Sequence, residues 1–206
     1  MPRGGDALGK VVADISMSLD GFVTGPDPGP EAGLGTGGEP LHTWAVGSSD
    51  PVDAEILREA TESTGAVIMG RRLFDVVDGP LGWGDGMGYG AEHAATPPMF
   101  VVTHSVPPVV RLAETFAFVT DGLEAAVRQA LGAAAGKEVV VMGGAETVRQ
   151  AVNAGLVDEL RIHLSPIILG AGTPLFESPG QRLELVQLAS RATPTATHLT
   201  YEIKTS

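Results

Sequence analysis

Twice in this chain a short apolar run stops at glycine and a helical pattern opens at once. Ala66–Met69 closes at Gly70 before a short helix over Arg71–Val77, and Glu138–Met142 closes at Gly143-Gly144 before a helix from about Glu146 to Asn153. Strands this apolar are buried on both faces, which demands helices on both sides of a mostly parallel sheet. The remaining segments meet that demand. Lys10–Ser18 reads as a first strand that ends at the turn pair Asp20-Gly21. Asp50-Pro51 supplies a capping oxygen and a proline at the first helical position, and Val52, Ile56, Leu57 and Ala60 then recur at helical spacing to about Ser63. Met99–Thr103 and Phe116–Val119 are strands, and Asp121 with Glu124 forms a capping pattern before a helix over Leu123–Ala135. Gly155 is a left-handed helix stop, and Glu159–Leu164 is the next strand. Leu183–Leu188 and His198–Lys204 have no helix between them, so they are antiparallel margin strands. The predicted fold class is α/β, a three-layer α/β/α sandwich with a mixed, mostly parallel central sheet and antiparallel C-terminal strands. It forms one domain over residues 1–206, without internal repeats.

Composition narrows the function. With 43% hydrophobic and 18% charged residues the chain builds a sizeable core. A net charge of -12 repels nucleic-acid backbones and anionic membranes, so neither is an expected partner. No cysteine is present, which removes disulfides, thiolate nucleophiles and cysteine-ligated zinc. None of the five histidines has metal-ligand spacing with a neighbour, so no metal is expected. The start lacks a signal-peptide core and no apolar run approaches membrane-spanning length, which reads as a cytoplasmic protein.

The candidate site residues cluster at strand ends. Gly70-Arg71-Arg72 is the only adjacent basic pair of an acidic chain and stands at a helix start, where it fits either a phosphate ligand or a surface ion network. Gly143-Gly144-Ala145-Glu146 either admits a pyrophosphate to the backbone or makes a tight turn that needs a positive φ. Gly33-Leu34-Gly35-Thr36-Gly37-Gly38 mimics a dinucleotide fingerprint, but neither follows a strand nor opens a helix. Ser16 and Ser18 share one face of the first strand, and Asp20 either closes its turn or meets a ligand. His42 and Trp44 lie in a glycine-rich loop, where the indole either stacks on a heterocycle or anchors the loop. Thr103-His104 ends another strand. Two glycine-rich loops, Gly25–Gly38 and Gly79–Pro98, are long enough to cover a cleft.

Ser18-Leu19-Asp20-Gly21, Ile68-Met69-Gly70-Arg71-Arg72, Val102-Thr103-His104, Met142-Gly143-Gly144-Ala145, Gly155 to Leu160 and Pro166 to Gly172 occur in the order of the dihydrofolate reductase-like family. Within that family the chain resembles the reductase domain of bifunctional riboflavin biosynthesis proteins. The resemblance implies NADPH as hydride donor, a sheet of about eight strands, a small heterocyclic substrate and a homodimer. By the same likeness, Gly70, Arg71 and Arg72 receive the adenosine phosphate side, and Thr103 and His104 flank the 2′-phosphate. Gly143, Gly144, Ala145 and Glu146 underlie the pyrophosphate, while Ser16 and Val23 line the nicotinamide. Leu73 and His104 depart from the commoner threonine and arginine, and with no cysteine to ligate its metal the companion deaminase domain is not expected.

The catalytic candidates are Asp53, which shares a helix side with Ile56, Leu57 and Ala60, and Asp20 as the competing proton relay. His42 and Trp44 are the substrate-contact candidates. The alternative reading is a non-catalytic nucleotide-binding or sensing module on the same fold. For the dimer, the late strands and the Pro166–Phe176 connection, with Ile167, Leu169, Leu175 and Phe176, are the expected interface.

Overall fold

The computed structural model describes residues 9–84, 88–89, 96–176 and 182–204. Among these residues ten strands and five α-helices follow one another: β1 (Val11–Ser18), β2 (Phe22–Thr24), α1 (Thr43–Val46), α2 (Pro51–Ser63), β3 (Thr64–Gly70), α3 (Arg71–Val77), β4 (Met99–Val102), β5 (Phe116–Val119), α4 (Leu123–Ala133), β6 (Glu138–Gly143), α5 (Ala145–Asn153), β7 (Glu159–Ser165), β8 (Thr173–Pro174), β9 (Leu185–Ala192) and β10 (Thr197–Ile203). A 3-10 turn, Glu39–His42, precedes α1.

Eight strands form one sheet in the order β5-β4-β3-β6-β1-β7-β10-β9. The pairs from β5 to β7 are parallel, and β10 runs antiparallel to both β7 and β9. The alternation of apolar runs and helices therefore led to the correct class, a mixed mostly parallel sheet with an antiparallel C-terminal margin. A separate two-stranded sheet pairs β2 with β8. These strands of three and two residues are too short for a periodic signal.

The two faces of the large sheet differ. On one, Val11, Ala13, Ile15, Ala66, Ile68, Val139, Val141, Leu160 and Ile162 pack with α4 and α5 residues in the main apolar core. On the other, Val67, Met69, Met99 and Val101 pack with Phe74 and Val77 of α3. Beneath α2 this second face turns polar. Glu138, Glu159, Arg161 and His163 occupy it together with Asp14 and His198, because side chains two apart share a face.

Arg161 organises part of that polar face. Its guanidinium forks onto both Glu138 oxygens at 2.9 Å and donates to Glu159, while Lys10 bridges the same two carboxylates. Ser63, at the end of α2, also donates to Glu138. Desolvation opposes ionisation of Glu138, but the Arg161 hydrogen bonds and charge outweigh it and hold the carboxyl below its usual range.

Local signals account for most boundaries. Asp50 caps α2 by accepting from the Val52 amide at 2.8 Å, and Pro51 stands at the first helical position. Gly155 takes φ +64 just past α5. The expected Asp121 cap of α4 is corrected: Gly122, at φ +88, takes the cap position, and no side chain bonds the helix start. A positive φ is open to glycine at little cost, so the chain turns one residue later than the carboxylate. The last two strands are displaced, β9 beginning at Leu185 and ending at Ala192. Leu175 is fully buried within its own chain, which removes it from any interface, whereas Ile168 and Phe176 are 73% and 58% exposed.

The Gly25–Gly38 loop folds on itself through Gly25–Leu34 and Thr36–Pro26 backbone bonds. Of the loop Gly79–Pro98, residues 85–87 and 90–95 lie outside the described residues. Its first turn is held by Arg111, which donates to the carbonyls of Val77, Asp78, Gly79 and Trp83 at the end of α3.

Replacing Arg161 with methionine keeps most of its apolar stem and removes the fork, leaving Glu138 and Glu159 to Lys10 and, at Glu138, Ser63. The loss of unfolding free energy expected is about 3 kcal/mol, the lower end for a broken buried pair because Arg161 retains 18% exposure. Urea unfolding measures it, and Glu138→Gln costs less because its amide oxygen still accepts from Arg161.

Candidate functional site

Four adjacent strands deliver the sequence candidates to one rim. β4 leads into Thr103-His104, β3 into Gly70 and α3, β6 into Gly143-Gly144 and α5, and β1 into Leu19-Asp20. The carboxyl ends of parallel strands are where open α/β sheets form ligand sites. Neither α3 nor α5 has a side-chain cap at its start, so the first amides of both are left for another partner. The two helix starts touch: a Cβ on Gly70 would lie 2.2 Å from Thr147 Oγ1 of α5. Gly143 holds φ +140, as the tight-turn reading requires, while Gly144 lies at φ −72 and a Cβ there would meet no atom within 4 Å. Gly144 thus presents open backbone to the rim.

Arg71 is pre-positioned. Its Nε donates to Asp75 at 2.7 Å and its Nη1 to the Ser105 carbonyl at 3.1 Å, with Thr103 Oγ1 at 3.5 Å. Thr103 in turn donates to the Ser105 carbonyl. Arg72 and His104 are exposed. Ala145 is buried at the α5 start, and Glu146 beside it accepts from Arg149 at 2.6 Å and from Gln150 at 2.8 Å. The Arg149 bond, then the Gln150 bond, lower the pKa of Glu146, and the charge of Arg72 adds to this.

Beyond β1 lies a second constellation. His163 Nε2 is 2.9 Å from Asp14 Oδ1, the two Nδ1 atoms of His163 and His198 are 2.7 Å apart, and His198 Nε2 is 2.8 Å from Asp53 Oδ1. Trp44 stacks on His163 with centroids 3.9 Å apart, meets His198 edge-on, and donates its indole N–H to Ser16 Oγ at 2.9 Å. Trp44 therefore anchors its loop to the sheet. Asp53 is 1% exposed, and its other oxygen accepts from the hydroxyls of Ser48 and Thr195. Desolvation disfavours its charge, but the bonds from Ser48, Thr195 and His198 win and lower its pKa. Asp14 behaves alike: desolvation opposes, and the charge and hydrogen bond of His163 prevail. His198 is pushed down, first by desolvation, against the Asp53 bond.

The other candidates are spread around these two groups. Asp20 accepts from Ser18 Oγ at 2.6 Å and from the amides of Leu169 and Gly170, which ties the β1 exit to the 169–170 turn. The Ser18 bond is the first cause of its lowered pKa. Val23 is buried in the main core. His42 has solvent-exposed surface at the end of the 3-10 turn, while crowding around its ring, and then repulsion from His163, lower its pKa. Sequence reading did not find Asp14, His163 and His198. The available signal was polar residues at alternate positions of internal strands, Asp14-Ser16-Ser18 in β1 and Glu159-Arg161-His163-Ser165 in β7.

An α/β/α sandwich with this strand order, two uncapped helix starts at the β3 and β6 exits and a carboxylate of α2 over the sheet defines the dihydrofolate reductase-like class. The RibD C-terminal domain family matches residues 9–199, and the chain belongs to that family, one of reductases. A curated relative, the uncharacterized protein YyaP of Bacillus subtilis, is 25% identical over 188 residues, 88% of each chain. Among solved structures, a putative riboflavin biosynthesis protein from Shewanella sp. PV-4 superposes with a TM-score of 0.68 at 23% identity, covering 95% of this chain and 99% of that one. Dihydrofolate reductase from Enterococcus faecalis, complexed with NADP(H) and RAB-propyl, superposes with a TM-score of 0.55 at 16% identity, covering 96% and 98%. Among the described residues, no helix is long and apolar enough to cross a membrane, and no group of three or more His, Cys, Asp or Glu side chains is arranged to hold a metal ion.

The lowered pKa of Asp53 gives its effect on stability a sign. A carboxyl whose folded pKa lies below the ordinary 3.8 contributes fully above that value and loses its contribution as the pH falls through the folded pKa. Thermal unfolding measured from neutral pH down to about pH 3 should show a shallower acid limb in Asp53→Asn than in the parent. Asp14 and Glu138 act in the same direction and leave a residual slope.

Proposed function

We propose that this chain is an NADPH-dependent reductase that adds a hydride to a C=N or C=O bond of a small heterocyclic substrate. The observation that carries the reading is the rim on which two uncapped helix starts touch, with open backbone at Gly144 and Arg71 fixed one strand away. Free helix amides attract phosphate, and arginines at a helix start oppose its dipole unless an anion offsets them. Gly143, Gly144, Ala145 and Glu146 then underlie the pyrophosphate. Gly70, Arg71, Arg72, Thr103 and His104 surround the 2′-phosphate of the adenosine, while Ser16 and Val23 border the nicotinamide. His42 and the Trp44 loop border the substrate. When bound, the cofactor supplies the hydride; the chain must orient the substrate, exclude water and supply a proton. Asp20 and Asp53 remain the sequence candidates for that last task. Asp53 is sealed from solvent and acts through His198.

Fluorescence titration should give tighter binding of NADPH than of NADH by tenfold or more, because a charge-assisted arginine contact contributes about 1.5 to 3 kcal/mol. The double variant Arg71→Ala/Arg72→Ala should lose that preference, and equal affinities in the parent would sink the reading. Gly144→Val should unfold like the parent, since its Cβ meets no protein atom, while cofactor binding drops below detection. Binding without oxidation of NADPH by any pteridine or pyrimidine probe would favour a sensing module.

The same reading makes the protein a cytoplasmic homodimer. β9 is a sheet edge whose Leu185 and Leu188 are 42% and 54% exposed, and an uncovered apolar edge invites a second copy. Light scattering at micromolar concentration should give twice the 21.2 kDa chain mass, and Leu188→Asp should return the single-chain value.

A further inference from the structure

The four groups Asp14, His163, His198 and Asp53 form a line of three hydrogen bonds through the protein. A hydrogen count fixes its charge. With both carboxylates accepting, each Nε2 must carry a hydrogen, and the contact between the two Nδ1 atoms needs one more. That makes three N–H hydrogens on two imidazoles, where two neutral rings have only two. The pair therefore holds one extra proton, and the four groups together carry one negative charge. A second extra proton has no place, because it would set two N–H groups against each other across 2.7 Å.

Burial gives the line a direction. Side-chain exposure is 1% at Asp53, 6% at His198, 4% at His163 and 16% at Asp14. Only the Asp14 end keeps appreciable contact with solvent, and among the described residues its Oδ2 has no hydrogen-bond partner. Asp14 lies on β1 two residues before Ser16 and on the same sheet face, below α2. At the far end, Asp53 meets the half-buried hydroxyls of Ser48 and Thr195. The charged and titratable neighbours are Arg161, Glu138 and the neutral Tyr89 phenol at Asp14, His42 at His163 and Arg191 at His198, where Arg191 is itself paired with Glu55 and Glu59 of α2.

We propose that this line is the proton supply of the reduction: Asp14 delivers a proton to the substrate, and the two histidines replace it from within the protein. The proposal rests on the reductase reading above. As the hydride of a nicotinamide donor reaches the carbon of a C=N bond, the π electron pair moves to nitrogen, which takes its proton through Asp14. Asp14 draws the Nε2 proton of His163, which keeps at Nδ1 the hydrogen it shares with His198. Two neutral imidazoles remain, His163 protonated at Nδ1 and His198 at Nε2. A bare Nε2 then faces the Asp14 carboxylate, an arrangement that takes up one proton from water and restores the starting state. Asp14 is the group that touches substrate; His163, His198 and Asp53 are positioning residues that act through it.

The test begins without ligand. Nitrogen-15 NMR of histidine-labelled protein at neutral pH should show three protonated nitrogens among the four of His163 and His198. Two protonated nitrogens would overturn the proposal. Single-turnover oxidation of NADPH with a dihydropteridine or a ribosylaminouracil probe then reads delivery. Asp14→Asn should bind NADPH as the parent does but turn over about a hundredfold more slowly, the usual scale for losing a general acid. His198→Gln keeps a hydrogen-bonding side chain that cannot become cationic, so it should slow turnover less and flatten the pH profile around neutrality. Parent-like turnover in Asp14→Asn, or an unchanged pH profile in His198→Gln, refutes the delivery step. If the parent itself oxidises no NADPH, the reductase reading fails and takes the delivery step with it, while the three-proton count stands or falls by the NMR result alone.

Discussion

The parallel pairing of β1 with β7 aligns the polar side chains of two neighbouring strands beneath α2. Residue for residue from Val12–Glu159 to Ser18–Ser165, it sets Asp14 beside Arg161 and Ser16 beside His163. The antiparallel pairing of β10 then puts His198 directly opposite His163. A slip of one residue in β1 would turn Asp14, Ser16 and Ser18 into the face packed by α4 and α5, and expose Val11, Ala13 and Ile15 to the ionic face. Both errors are costly: the first buries a carboxylate without a partner, and the second removes three fully or nearly buried side chains from the apolar core. Register here is thus enforced by two opposed patterns on a single strand.

That same alternation explains what could be read in advance. The apolar runs ending at Gly70 and Gly143 specify parallel strands and helix starts by local chemistry alone, and Asp50-Pro51 specifies the entry to α2. The two rim segments of the site were legible for the same reason, since their glycines and arginines are contiguous in sequence. The buried line was not. Its bonded neighbours lie as far apart as 149 residues, between Asp14 and His163, and each alone reads as an ordinary polar residue in a strand or helix. Only the joint parity of β1, β7 and β10 gathers them, and that needs the strand order, which no local pattern contains. Trp44 shows the same limit, because its two sequence readings differ only in whether His163 and Ser16 lie beneath it.

A chain with a net charge of -12 that binds an anionic dinucleotide, as we propose, must do so against its own long-range field. The rim answers with short-range terms. Helix amides and the fixed Arg71 act within a few ångströms, where their attraction exceeds a repulsion spread over the surface and screened by salt. Arg71 is also ordered beforehand by Asp75 and Ser105, so less conformational entropy is lost when an anion arrives. Glu146, beside the open backbone of Gly144, is turned toward Arg149 and Gln150. Its charge is thereby offset at the point where a second anion would approach.

β1 is the seam between two territories. On the β6, β3 and β4 side the strand exits carry glycines, uncapped helix starts and arginines, a surface for phosphate. On the β7 and β10 side the sheet face carries ionised carboxylates and imidazoles that hold a proton. A reduction of the kind proposed needs hydride and proton to reach adjacent atoms of one substrate, so its donors must meet without one neutralising the other. An acid open to water on every side exchanges its proton with solvent. With Asp53 and both histidines sealed inside the sheet and Asp14 alone near the surface, that exchange is confined to the Asp14 end. The seam strand then needs only small side chains at its exit, and Ser16 and Ser18 supply them.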